Sequence, residues 1–331
     1  MKAFEWASAS SVEEAVKLLK PVNAAADPDE QPHAIGGGQD LLTTMKEYLV
    51  RPPRVVNLKT IKGLDQIKLE ANGTLRIGAT VTITDLEEHP DVIAKFKGLA
   101  EAAASIATPQ IRHVGTVGGN LCQRPRCWYF RLENVVCRKK GGDTCYAIQG
   151  QNKYNAIFDT GPSNIVHPSD LGTMLVAMGA SVTVAGAGGN RTIKLEEFFA
   201  PPSVNVRREN VLKDGEIVTE VVVPAQTGKS AYMKFKERES LDFAMAAAAV
   251  VVELAADKTV KSARVVLGGV ASVPWRVEKV ETYLVGKALN EATMTQAATL
   301  ALDGATPMSG NAYKVPLAQA MVRRALAKTV A

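Results

Sequence analysis

No stretch of this 331-residue chain approaches 18 uninterrupted apolar residues, so no membrane-spanning helix is expected. The opening MKAFEWASASSVEEAV lacks the apolar core of a secretion signal, so export in its own right is not expected. The cytoplasm is the expected compartment, with the periplasm, reached by co-export with a partner, as the alternative. Charge of one sign is scarce as well. The net charge is +5 and the Lys and Arg residues are spread along the chain, which speaks against nucleic acid as a partner. Internal repeats are absent, and the run from Ala244 to Val252, closed by Glu253, reads as a buried core element. The Gly36-Gly37-Gly38 run is not G-x-G-x-x-G, so a Rossmann nicotinamide site is not indicated. A plant-type C-x4-C-x2-C cluster motif is missing too.

Cysteine is absent from most of the chain. All four residues, Cys122, Cys127, Cys137 and Cys145, fall within 24 positions at a spacing of C-x4-C-x9-C-x7-C. Thiolates grouped in this way suit a soft metal centre, either an iron–sulfur cluster or structural zinc. Zinc sites usually show C-x2–4-C knuckles, which only the first pair approaches. Free thiols are the plain alternative, and disulfides need an oxidising compartment. Arg124, Arg126, Arg131, Arg138, Lys139 and Lys140 surround the thiols and would lower their pKa values.

Glycine carries the second signal. In HAIGGGQDLL a short apolar lead enters Gly36-Gly37-Gly38 and then a helix, leaving backbone N–H groups free for a pyrophosphate, although an ordinary glycine turn reads the same way. Gly118, Gly119 and Asn120, just upstream of the cysteines, allow a second close approach of backbone to a ligand. Along the rest, Ser10 or Ser11 caps a first helix, Asn72-Gly73 turns a hairpin, and a helix from Ser169 or Asp170 to about Met178 feeds a strand at 181–184. Asp170 is therefore either a cap or a ligand contact. Lys234, Lys236, Arg238 and Glu239 alternate with apolar residues, as a solvated strand face does. Helices are expected near 276–285, 292–302 and 314–328. The length allows two domains, or three small ones, with a boundary at Pro224.

Taken together, AIGGGQDLL, ATPQIRHVGTVGGNLC, IVHPSDLGTMLVAMGA, KFKERESLDFAMAAAAV and LGGVASVPWR resemble the flavin (medium) subunit of the molybdenum hydroxylases, the family of xanthine dehydrogenase and carbon monoxide dehydrogenase. The cysteine stretch is similar to that of bacterial aldehyde oxidoreductase flavin subunits, which carry an extra [4Fe–4S] cluster. The resemblance implies an α+β fold, with a vanillyl-alcohol-oxidase (PCMH-type) FAD-binding domain over 1–224. This would comprise subdomains of about 1–58 and 59–224, with a Cys-rich insertion at 121–165. A small C-terminal α+β domain over 225–331 would follow.

It further implies that FAD is held by Ala34, Ile35, Gly36, Gly37, Gly38, Gln39, Asp40 and Leu41 at the pyrophosphate. Thr108, Thr116, Gly118, Gly119 and Asn120 would form a second wall. Asp170 would meet the ribose or adenine side and Lys234 the isoalloxazine. Cys122, Cys127, Cys137 and Cys145 would bind the cluster, with Ser163 as the rival fourth ligand because the loop before HPSD reads GPSN. The implied partners are a molybdopterin-binding large subunit, a [2Fe–2S] small subunit and an external electron acceptor. No protein acid or base is expected to be catalytic. The rival functions are a self-sufficient flavin oxidase and a metal-stapled scaffold.

Overall fold

The structure is a computed structural model that describes every residue except 24, 159, 160, 240 and 331. Its strands form three sheets. The first is parallel, with Arg54–Asn57 between Glu5–Ser8 and His33–Ile35. Ser11, rather than Ser10, caps the helix Val12–Leu18, accepting a hydrogen bond from the Glu14 N–H, and Glu13 and Glu14 stand at its positive end. Ala15 and Val16 of this helix pack with Val56 of the first sheet and Ile217 of the second.

The second sheet is antiparallel, in the order Ile67–Leu69, Leu75–Gly78, Ile217–Val223, Ser181–Gly186 and Gly189–Lys194. Its first hairpin turns at Asn72-Gly73, where Gly73 has φ +84° and the Asn72 side chain accepts from the Thr74 N–H at 2.9 Å. The third sheet, also antiparallel, runs Trp275–Arg276, Val260–Gly268, Ala246–Leu254 and Lys229–Phe235.

The apolar run is the central strand Ala246–Leu254, and its uninterrupted character has a simple cause. Ala246, Ala248, Val250 and Val252 face a core completed by the helices Glu278–Leu284, Glu291–Ala301 and Lys314–Val330. Ala247 and Ala249 face the main core instead. A strand covered on both sides has no polar face to show. On the main-core side lies the helix Asp170–Ala177, buried at every residue.

The cysteine-rich segment lies across these units. Its far end is fastened to the C-terminal region by Asn311, whose amide donates to the Asn155 and Ala156 carbonyls at 3.1 and 3.2 Å. Lys314 adds bonds to the carbonyls of Tyr154 (3.2 Å) and Gly269 (2.7 Å). Among the described residues no helix is long and apolar enough to cross a membrane.

Candidate cofactor site

A cavity of about 690 Å³ is lined by all of Ala34 to Leu41, by Thr116, Gly118, Gly119 and Asn120, and by Asp170 and Lys234. Thr108 is not among its described lining residues; it precedes the short helix Pro109–Arg112 and makes no capping bond through its side chain.

Glycine is required here by contact. A methyl group at Gly37 would lie 2.0 Å from the Val114 carbonyl oxygen, one at Gly36 2.6 Å from the Thr116 hydroxyl, and one at Gly118 2.9 Å from the Ala79 carbonyl oxygen. The two glycine turns therefore press against each other and against the second sheet, and Gly38 leaves the cradle at φ +71°. Among the described residues, no acceptor stands opposite the backbone N–H groups of Gly36, Gly37 and Gly38. The Thr80 hydroxyl, also in the lining, is buried without a partner. A cavity of this volume with free backbone donors and an unpaired hydroxyl fits FAD, whose pyrophosphate needs such donors.

Ser169 caps the helix Asp170–Ala177, its hydroxyl accepting from Gly172 N–H at 2.8 Å and donating to the Asn120 side chain at 2.6 Å. Asp170 is thereby free for other partners. It accepts from the Tyr232 hydroxyl at 2.6 Å and pairs with the Lys234 ammonium at 2.8 Å, and both the Asp170 and Lys234 side chains are buried. Burial, and then Asp170, push the Tyr232 hydroxyl well above its ordinary value. Lys234 is not on a solvated face: Tyr232 and Lys234 point inward from one side of Lys229–Phe235, and Lys234 also donates to the Ser105 carbonyl. Asp170 and Lys234 are therefore neighbours in the wall of the cavity. The resemblance implies the ribose or adenine side for Asp170 and the isoalloxazine for Lys234, and the ion pair sets the two positions side by side.

Asp40 lines the cavity with the rest of its loop, but its side chain is engaged elsewhere. Its carboxylate turns to the cysteine segment, accepting from the Arg124 N–H at 2.6 Å and pairing with Arg126 and Arg131, each at 2.8 Å. Behind it lies a charge cluster that sequence reading missed. Glu209, 2% exposed, pairs with Arg124 and Lys139 at 2.7 Å each, and Arg124 continues to Asp29 at 2.7 Å. Burial works to raise the Glu209 carboxyl, but Arg124 and Lys139 outweigh it and hold it below its ordinary value.

Arg124, Arg126, Arg131 and Lys139 accordingly serve carboxylates rather than thiols, while Arg138 and Lys140 donate to backbone carbonyls. Burial pushes the Cys122 thiol up to about 12 and raises Cys127, the reverse of the expected lowering. The four cysteines are also divided. Cys122 packs on the main core and lines the cofactor cavity, whereas Cys127 and Cys137 share a separate small core. Cys145 accepts from the Asn164 amide at 3.3 Å, and Cys127 from the Asn155 amide at 3.7 Å. Among the described residues no three thiol, imidazole or carboxylate groups gather to hold a metal ion.

Residues 2–226 match the family described as the FAD binding domain in molybdopterin dehydrogenase, and residues 230–329 match the CO dehydrogenase flavoprotein C-terminal domain. The aldehyde oxidoreductase FAD-binding subunit of Escherichia coli is 33% identical, over 94% of this chain and 96% of its own. The carbon monoxide dehydrogenase medium chain of Hydrogenophaga pseudoflava is 31% identical, over 98% of this chain and 96% of its own. Among solved structures, the carbon monoxide dehydrogenase of Hydrogenophaga pseudoflava that lacks the Mo-pyranopterin moiety superposes with a TM-score of 0.76 at 29% identity, covering 99% of this chain and 97% of that one. With a cavity that fits FAD and a family match over most of its length, the chain belongs to the FAD-binding subunits of the molybdopterin dehydrogenases and is an oxidoreductase subunit.

Proposed function

We propose that this chain is the FAD-containing electron-transfer subunit of a molybdenum-dependent hydroxylase of the aldehyde oxidoreductase type. A molybdopterin-binding large subunit would oxidise the substrate, a [2Fe–2S] small subunit would relay the electrons, and an external acceptor would take them from FAD. The observation that carries this reading is the cradle of two interlocked glycine turns with unpaired N–H groups. FAD bound there supplies a redox centre that can accept and release electrons singly or in pairs.

The chain's own residues bind and orient it. The backbone of Gly36 to Gly38 would hold the pyrophosphate, and the Thr80 hydroxyl would find its missing partner on the cofactor. Lys234, kept in place by Asp170 and the Ser105 carbonyl, would set a cation beside the isoalloxazine and favour negative charge on its reduced form. No side chain is needed as nucleophile, and none is assigned as acid or base.

The [4Fe–4S] cluster fits less well. All four thiols fall within the expected insertion at 121–165, but Cys122 lines the cofactor cavity apart from the other three, and Asn164 and buried Ser163 occupy the loop before His167. Three thiols are one short of a four-thiolate set, so no electron path is drawn through a cluster. Anaerobic purification with FAD, iron and acid-labile sulfide counted per chain tests both readings. One FAD per chain is the expected result, and a colourless chain, even in its assembled complex, would overturn the flavin reading.

A further inference from the structure

A second chamber, of about 250 Å³, adjoins the cofactor cavity, and Arg126, Pro168, Asp170, Asp242 and Phe243 line both. The shared wall includes Asp170, whose carboxylate pairs with Lys234. On the other side it reaches the surface, because two of its wall residues, Trp128 and Phe243, are 51% and 38% exposed. A small molecule can therefore enter from solvent and stop against the cofactor.

The walls say what kind of molecule this is. Trp128 and Tyr154 meet edge to face at 5.3 Å, Phe243 lies under the Arg126 guanidinium at 4.8 Å, and Met245 adds a polarizable apolar surface. Flat rings stack well on such surfaces. His167 stands in the wall: its Nδ1 accepts from the Ser169 N–H at 3.3 Å, which places the ring proton on Nε2, a buried N–H with no partner among the described residues. Burial lowers the imidazole to about 4, so it is a neutral donor suited to a carbonyl oxygen.

Phosphate is poorly served. Arg126 is the one Lys or Arg among the described lining residues and is already paired with Asp40, while Asp170 and Asp242 are acidic. A nicotinamide dinucleotide would bring its pyrophosphate to a wall with no cation to spare.

We infer that this chamber binds the external acceptor, and that the acceptor is an uncharged planar quinone hydrogen-bonded by His167. The inference rests on the flavin reading above. In the reaction the quinone would gain two electrons and two protons: the reduced cofactor, held as its anion beside Lys234, would supply both electrons and one proton, and solvent at the chamber's open side would supply the second proton.

Equilibrium dialysis of the full-length, flavin-loaded chain against 2,3-dimethoxy-5-methyl-1,4-benzoquinone tests this without turnover. Saturable binding of one quinone per chain is expected, undisturbed by NAD⁺. Ala244→Phe, which fills the chamber, should weaken it at least about tenfold with flavin content unchanged. Trp128→Ala, at an exposed position where folding is not at stake, should weaken it in the same direction. The inference is overturned by an absence of saturable binding, by binding that ignores both variants, or by displacement of the quinone by NAD⁺. A chain that fails to hold flavin overturns the reading beneath it instead, so the two failures are distinguishable.

Discussion

The glycine cradle and the cysteine segment meet at Asp40, and they are held by opposite means. The cradle is built on what its residues lack: Gly36, Gly37 and Gly118 sit where any Cβ would collide with backbone or a hydroxyl. The segment is built on polar side chains, with Asp40 and Glu209 gathering its arginines and lysine at one end and Asn311 and Lys314 fastening the other. Added volume should therefore break the first region, and removed charge the second.

The largest effect is expected from Glu209→Ala. Arg124 and Lys139 would be left buried without their shared carboxylate, and losing one partner of a buried ion pair costs about 3–5 kcal/mol. Urea unfolding should show a correspondingly lower midpoint. An unchanged midpoint would mean that Asp29 and the backbone carbonyls suffice to compensate the two cations.

Gly37→Ala comes next. Overpacking against the Val114 carbonyl should cost about 1–3 kcal/mol and, more tellingly, reduce the flavin retained per chain. Gly188→Ala is the control, since a methyl group there meets nothing within 4 Å. Equal flavin loss in both variants would show that the cradle does not depend on the interlock.

The same contrast explains what could be read from the sequence. A glycine turn is a local instruction, so Gly36 to Gly38 and Gly118-Gly119 could be placed from their neighbours alone. Hairpins, caps and the C-terminal helices were legible for the same reason. Glu209 sits in RREN, a run that looks like any solvated loop, and its partners Arg124 and Lys139 are remote in sequence. Asp170 and Lys234 were both selected, but their pairing depends on how the third sheet lies against one helix. The cysteines misled because closeness in sequence is not convergence of side chains: Cys122 ends a helical turn on the cavity side, and its thiol never joins those of Cys127 and Cys137. Arg124, Arg126, Arg131 and Lys139 misled in turn, because carboxylates from elsewhere in the chain had claimed them.

Lys314 sharpens the comparison at the far end of the segment. Its ammonium is buried against carbonyls, with no carboxylate to pair it among the described residues, and burial lowers it to about 7 from an ordinary 10.5. Between those two values the unfolded chain binds a proton that the folded chain does not, so this group makes stability rise with pH across that window. Below about pH 7 both states are protonated and the gain is gone. From pH 7 to 8.5 the rise should be on the order of 1–2 kcal/mol, and Lys314→Met should flatten it. Parallel pH curves for the two proteins would mean that the amine keeps its proton by some accommodation of the Gly269 turn.

The smallest effect should come from Cys122→Ala, and it decides to which region this residue belongs. Cys122 borders the cradle, packed on the main core, so losing its sulfur should cost no more than about 1 kcal/mol. A thiol held near 12 is almost wholly protonated at pH 8 and does not react as a thiolate. The thiols of the folded protein that react quickly with a disulfide reagent at that pH should therefore be the same in number with and without Cys122, and flavin content should not change. Loss of a fast-reacting thiol in the variant would return Cys122 to the other cysteines, and the boundary between a cradle fixed by contact and a segment fixed by charge would have to be redrawn to include it.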